Sequence, residues 1–164
     1  MAPPFIIKVS AMPNILIKVP AGAFNEAQRD QLLKRVNEAA IAHEHIGSAL
    51  PQRSLCWVLI EEVRGADWLC GGVNMHAQAI PCIVTVKVPA GVLDAQMRKD
   101  YVQGLHQAIE HCVGQADGRM LMTSIQLVDV ADGTWGANGN LWHLADFTRA
   151  AGYGHLVARA QPCG

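Results

Sequence analysis

Ile15-Leu16-Ile17-Lys18-Val19-Pro20-Ala21-Gly22 and, 69 residues later, Val84-Thr85-Val86-Lys87-Val88-Pro89-Ala90-Gly91 decide how this chain is read. The last five letters are identical, and both runs begin with β-branched or long aliphatic residues. A cap residue follows each, Asn25 and then Asp94, and Arg29 recurs as Arg98 at the same displacement. Further on, Val58-Leu59-Ile60-Glu61-Glu62-Val63 leads to Trp68, and Ile125-Gln126-Leu127-Val128-Asp129-Val130 leads to Trp135. A short unit has been duplicated and fused.

Each unit reads strand, helix, strand. Residues 14–19 and 82–88 have strand composition and end at a Pro-x-Gly turn. Asn25 and Asp94 can cap helices by accepting from free backbone N–H groups. Leu32/Leu33, Val36 and Ala39/Ala40 form an apolar stripe on the first helix, as do Met97, Tyr101, Leu105, Ala108 and Cys112 on the second. Such stripes must lie against a sheet. Second strands are expected at about 55–63 and 123–130. A helix of this length between strands implies a right-handed crossover joining parallel neighbours. The expected fold class is α+β: two tandem β-α-β units giving a four-stranded sheet with two helices on one face. The other face needs cover, which self-association supplies.

The chain divides into an extension at 1–12, units at 13–76 and 77–140, and a tail at 141–164 without a counterpart in the first half. In that tail Leu141, Trp142, Leu144 and Phe147 are apolar enough to pack, on their own chain or on a neighbouring subunit. Of 164 residues 51% are hydrophobic and 16% charged, ample for a core. A formal net charge of −1 gives no reason to expect nucleic acid or an anionic membrane as partner. Five cysteines with no C-x-x-C pair suggest reduced thiols. The opening Met1-Ala2-Pro3-Pro4-Phe5-Ile6-Ile7-Lys8 has neither a basic leader nor a long apolar run, so a cytoplasmic location is expected.

These elements resemble the tautomerase superfamily, which includes 4-oxalocrotonate tautomerase, malonate semialdehyde decarboxylase, the 3-chloroacrylic acid dehalogenases and macrophage migration inhibitory factor. The resemblance spans roughly residues 12–140. It is carried by Met12-Pro13-Asn14-Ile15-Leu16-Ile17, Gly22, the strand Val58 to Val63, the hairpin Trp68-Leu69-Cys70-Gly71-Gly72 and the run Asp132-Gly133-Thr134-Trp135-Gly136. It implies a homotrimer, no cofactor, and an amino-terminal proline as general acid/base on a small oxo or enol carboxylic acid. Keto–enol tautomerisation is the default; decarboxylation, hydration or dehalogenation of a small acid is the near alternative.

Pro13 is the matching proline. As a free amine in an apolar, cationic pocket it would lose proton affinity and work near neutral pH. That requires a chain starting at Met12 and losing it; starting from Met1, Pro13 stays an imide and the scaffold is non-catalytic. Trp135 and Trp68 match the aromatic position that lines the family's pocket, and Asn138 could add an amide donor. The positions where relatives carry carboxylate-binding arginines here read Ala23, Trp57, Val92 and Ser124. Lys87 and Lys18 are the leading substitutes, ahead of Arg53, Arg64 and Arg119. No metal is expected: His43-Glu44-His45 projects its imidazoles to different sides. Gly133, Gly136 and Gly139 read as hairpin glycines, and Cys56 as a small buried hydrophobe.

Overall fold

The computed structural model describes residues 13–159. Strand β1 (Asn14–Pro20) leads to helix α1 (Glu26–Glu44), a short α2 (Leu50–Arg53) and β2 (Trp57–Val63). The second unit is β3 (Ala79–Pro89), α3 (Ala95–Glu110) and β4 (Met120–Val130). A hairpin of β5 (Trp135–Ala137) and β6 (Asn140–Trp142) follows, then α4 (Leu144–Ala151) and α5 (Gly154–Arg159). The sheet order is β2-β1-β3-β4, with β1 parallel to β2, β3 parallel to β4, and the two central strands antiparallel.

Both long helices start where the caps predict. Asn25 Oδ1 accepts from Gln28 N at 2.8 Å while Gln28 Oε1 accepts from Asn25 N at 2.9 Å, a reciprocal capping box. Asp94 Oδ1 accepts from Met97 N at 2.8 Å. The repeated arginines have one job in both units. Arg29 reaches the Phe24 carbonyl and Glu62 on β2, and Arg98 reaches the Leu93 carbonyl and Asp129 on β4. Each thus ties a helix start to the outer strand of its unit. The Pro-x-Gly turns need their glycines, since Gly22 and Gly91 sit at φ +78° and +95°, which a side chain strains.

The stripes meet the sheet. Leu32, Val36 and Ala40 on α1 and Tyr101, Leu105 and Ile109 on α3 are buried against Ile15, Ile17, Val19, Val84, Val86 and Val88. Leu33, Ala39, Met97 and Ala108 are only half-buried, at the edges of those stripes. Strands β3 and β4 both begin three residues before the expected 82 and 123. Ala79-Ile80-Pro81 and Met120-Leu121-Met122 pair with one another there, and composition alone gives no signal for that pairing. The tail packs on its own chain. Phe147 and Tyr153 are buried in the main core, and Gly47 N donates to the Ala151 carbonyl at 2.8 Å.

Two consequences position the candidate site. Leu16 lies opposite Thr85, its own repeat mate, so a pseudo-twofold axis passes between β1 and β3. Features shared by both units therefore recur at opposite ends of the sheet. Second, the face away from the helices is open and apolar: Trp57, Leu59, Ile83, Met120, Met122 and Val128 are all exposed there. No described helix is long and apolar enough to cross a membrane.

Candidate active site at the Pro13 end of the sheet

Pro13 is buried immediately before β1, and its carbonyl accepts from Trp57 N at 2.9 Å. Its nitrogen is joined to Met12, which lies outside the described residues along with the rest of the expected extension and the question of its start. Across the open face, the first row of the sheet beside it is Trp57–Asn14–Lys87–Val128. At the opposite end the corresponding row is Glu61–Lys18–Ile83–Ser124.

The two repeated lysines therefore differ in circumstance although their flanking letters are the same. Lys18 stands beside Glu61, with its ammonium 3.8 Å from a carboxylate oxygen. Lys87 stands beside Val128, the residue that replaces that glutamate in the second unit. Among the described residues Lys87 makes no hydrogen bond or ion pair. The other candidate cations are all neutralised: Arg53 by Glu38, Arg64 by Asp67 at 3.1 Å, and Arg119 by Asp117 at 2.6 Å. The Arg119 hydrogen bonds hold the Asp117 carboxyl down at about 2, so that pair stays charged and mutually engaged.

Asn14 completes this row and was not singled out from sequence. Its Oδ1 is buried without a hydrogen-bond partner, directly across from Lys87. The only sequence signal is an amide interrupting an apolar strand next to the proline.

The tryptophans separate. Trp135 follows β4 at its C-terminal end, which pairs with the end of β3 and so lies at the Pro13 end. Its ring meets Phe147 edge-on at 5.7 Å, and Trp142 stacks obliquely on the same phenyl at 5.2 Å. Asn138 lies in the tight turn between β5 and β6, at φ 51°. Trp68 follows β2, whose end is beside Pro20, so it sits at the far end with Lys18. The seven residues of β1 at about 3.3 Å each put roughly 20 Å between the ends. The loop bearing Trp68 is fixed by His76, whose Nε2 lies 3.0 Å from the Gly65 carbonyl and 3.2 Å from the Trp68 carbonyl. Both partners accept, so Nε2 carries the proton.

Burial pushes the thiols of Cys56 and Cys82 up, the latter to about 12, so neither supplies a thiolate nucleophile. Among the described residues no group of three or more His, Cys, Asp or Glu is arranged to hold a metal ion. The end of the sheet thus offers a buried proline, one uncompensated cation, one unsatisfied amide and an aromatic wall.

No family model matches the chain, and no curated protein does. Solved structures do. A fused 4-OT described as a wild-type symmetric trimer matches with a TM-score of 0.64 at 19% identity, over 85% of this chain and 99% of its own. Pt0534, a structure of the protein inactivated by 2-oxo-3-pentynoate, matches with a TM-score of 0.63 at 17% identity, over 77% of this chain and 93% of its own. Macrophage migration inhibitory factor of Toxoplasma gondii gives 0.59 at 16%, over 79% and 100%. At such identities the likeness establishes the fold.

Proposed function

We propose, for a chain that has the tautomerase-superfamily fold, that it moves a proton between carbon and oxygen of a small oxo or enol carboxylic acid, with Pro13 as amino-terminal acid/base. The observation that carries this reading is Lys87. In the second unit Val128 replaces the carboxylate that compensates Lys18, and the freed charge lies at the end of the sheet where Pro13 is. A cation held uncompensated in an apolar sheet face is a seat for a carboxylate. Asn14 and Asn138 contribute amides beside it, and Trp135 contributes an apolar wall. Burial and the neighbouring ammonium would lower the proton affinity of a Pro13 amine below the free α-amino range of about 7.7–8. With Lys87 as the one cation among the described residues of the row Trp57–Asn14–Lys87–Val128, acids carrying one carboxylate fit better than diacids.

Trp68 lies too far along the sheet to reach Pro13 within one chain, so it joins that pocket only from a neighbouring copy. A homotrimer supplies such neighbours and covers the open apolar face. Leu59→Glu, on that face and 52% exposed in the single chain, is expected to leave the protomer folded and to yield monomers by light scattering. A wild-type chain that is already monomeric would refute the assembly.

The carboxylate seat has its own test. Lys87→Met is expected to raise KM for a mono-acid such as enol phenylpyruvate roughly 10- to 100-fold, the worth of a hydrogen bond to a charged group, with a smaller change in kcat. Lys18→Met is expected to change KM less than twofold. Equal effects of the two would remove the distinction between them.

A second reading is a trimeric scaffold without chemistry. It is favoured by the peptide bond joining Met12 to Pro13 in the full sequence, and by the absence of arginine at residues 23, 57, 92 and 124. Intact mass of protein from its native host, with turnover measured on phenylpyruvate and 2-hydroxymuconate, separates the two. An amino terminus at Pro13 with turnover supports the enzyme; retained leading residues with no turnover support the scaffold. Turnover of a decarboxylated, hydrated or dehalogenated product on the same proline would shift the reaction and keep the site.

A further inference from the structure

Strand β2 stands at one end of the sheet order β2-β1-β3-β4, so its outer side has no partner strand among the described residues. The Trp57 N–H points inward, to the Pro13 carbonyl at 2.9 Å. Backbone groups alternate along a strand, so those of Val58, Ile60 and Glu62 point outward. Edges left open in this way are ordinarily blunted by a charge, a proline or a covering segment. The first four residues of β2, Trp57-Val58-Leu59-Ile60, contain neither a charge nor a proline, and Trp57 and Leu59 are exposed. Beside that edge runs a groove of about 480 Å³, lined by Val58, Leu59, Ile60 and Glu62 from β2 and by Arg29 and Leu33 from α1. An unblunted edge with a largely apolar groove next to it is a seat for one more strand.

The sequence carries a segment of matching character among the residues outside those described. In Phe5-Ile6-Ile7-Lys8-Val9, the last three letters are identical to Ile17-Lys18-Val19 of β1 and differ in one letter from Val86-Lys87-Val88 of β3. The signature of both central strands is thus written a third time. The tether decides which edge it can reach. From Val9 to Pro13 there are four Cα steps, at most about 14 Å. A strand added outside β2 lies two spacings from β1, about 10 Å, and Pro13 is already bonded to the first residue of β2. A strand added outside β4 lies three spacings from β1, about 14 Å, which leaves no residue for the turn. Direction agrees with distance. A segment running into Pro13 is antiparallel to β2, the stronger pairing, whereas beside β4 it would be parallel. Covalent attachment also gives the segment an effective concentration of about millimolar, ahead of a second copy in dilute solution.

We propose that residues 5–9 add to the outer edge of β2 as a fifth, antiparallel strand that fills the groove beside Leu33. A strand so placed keeps that edge from pairing with other chains. The proposal does not rest on Pro13 acting as an acid or base.

Residue-resolved amide exchange on the full chain tests this and reads the edge without reference to turnover. In Ile6→Pro/Ile7→Pro two adjacent N–H groups are lost, and in any register one of them faces β2. Exchange of the Val58 and Ile60 amides is expected to quicken at least tenfold, while β1, β3 and β4 keep their rates. A chain beginning at Pro13 is expected to show the same change at the same two amides. Equal rates in the wild type and the double variant would overturn the proposal, as would a rise spread over the whole sheet. Protection of those amides that fades on dilution of the wild type would assign the edge to a second copy and overturn it too.

Discussion

A chain whose first residue is Pro13 is expected to exchange the enol and keto forms of a mono-acid at least 100 times faster than the same chain with residues 1–12 attached. An imide nitrogen has no basic lone pair, whereas a secondary amine in a buried setting beside Lys87 has one of reduced proton affinity. Positioned acid/base groups contribute about 10²- to 10⁴-fold to such steps, so converting amine to imide removes that whole contribution. The rise of kcat/KM with pH in the short chain is expected to centre below about 7.7, the free α-amino value. Pro13→Ala in the short chain keeps an amine but loses the ring that fixes its lone pair, and is expected to fall at least tenfold. Equal rates for the short and long chains would end the assignment of residue 13 as the proton carrier.

The second large effect is on stability. Burial raises the Glu44 carboxyl from 4.5 to about 8, partly opposed by the Tyr101 hydrogen bond. The folded chain therefore holds a proton that the unfolded chain releases between those two values. The raised value means that stability is fullest below pH 4.5 and declines as pH rises toward 8, after which both states are ionised. At its steepest the slope approaches about 1.4 kcal/mol per pH unit, a total on the order of a few kcal/mol. Glu44→Gln keeps the shape and the hydrogen bond from Tyr101 but cannot ionise. The stability difference between wild type and Glu44→Gln, from urea unfolding at pH 5, 6.5 and 8, is expected to move steadily in favour of the glutamine. A difference constant across that range would show that Glu44 is solvated in the folded chain.

Glu44 also shows where reading letters stops. In sequence it is the middle of His43-Glu44-His45, a group set aside as a poor metal pair. Its hydrogen-bond partner Tyr101 lies 57 residues away, and no local pattern links the two. The tail was legible as apolar and without a repeat mate. That it folds back over the end of α1 instead of serving only a neighbour depends on Phe147 and Tyr153 finding space in the core of their own chain. The hairpin glycines were readable because a turn is a local event: Gly133 and Gly139 both take positive φ.

What the sequence determined by itself is the repeating unit and therefore the architecture. Strand composition, helix caps, apolar stripes and the Pro-x-Gly turns are local properties, and duplication wrote each of them twice. Only the tertiary structure decided which copy of a repeated residue matters. Lys18 and Lys87 share their neighbours in the chain, but antiparallel pairing of β1 with β3 sends them to opposite ends of the sheet. There one meets Glu61 and the other Val128. Charge compensation is set by what lies across the strand, and that distance is not written along the chain.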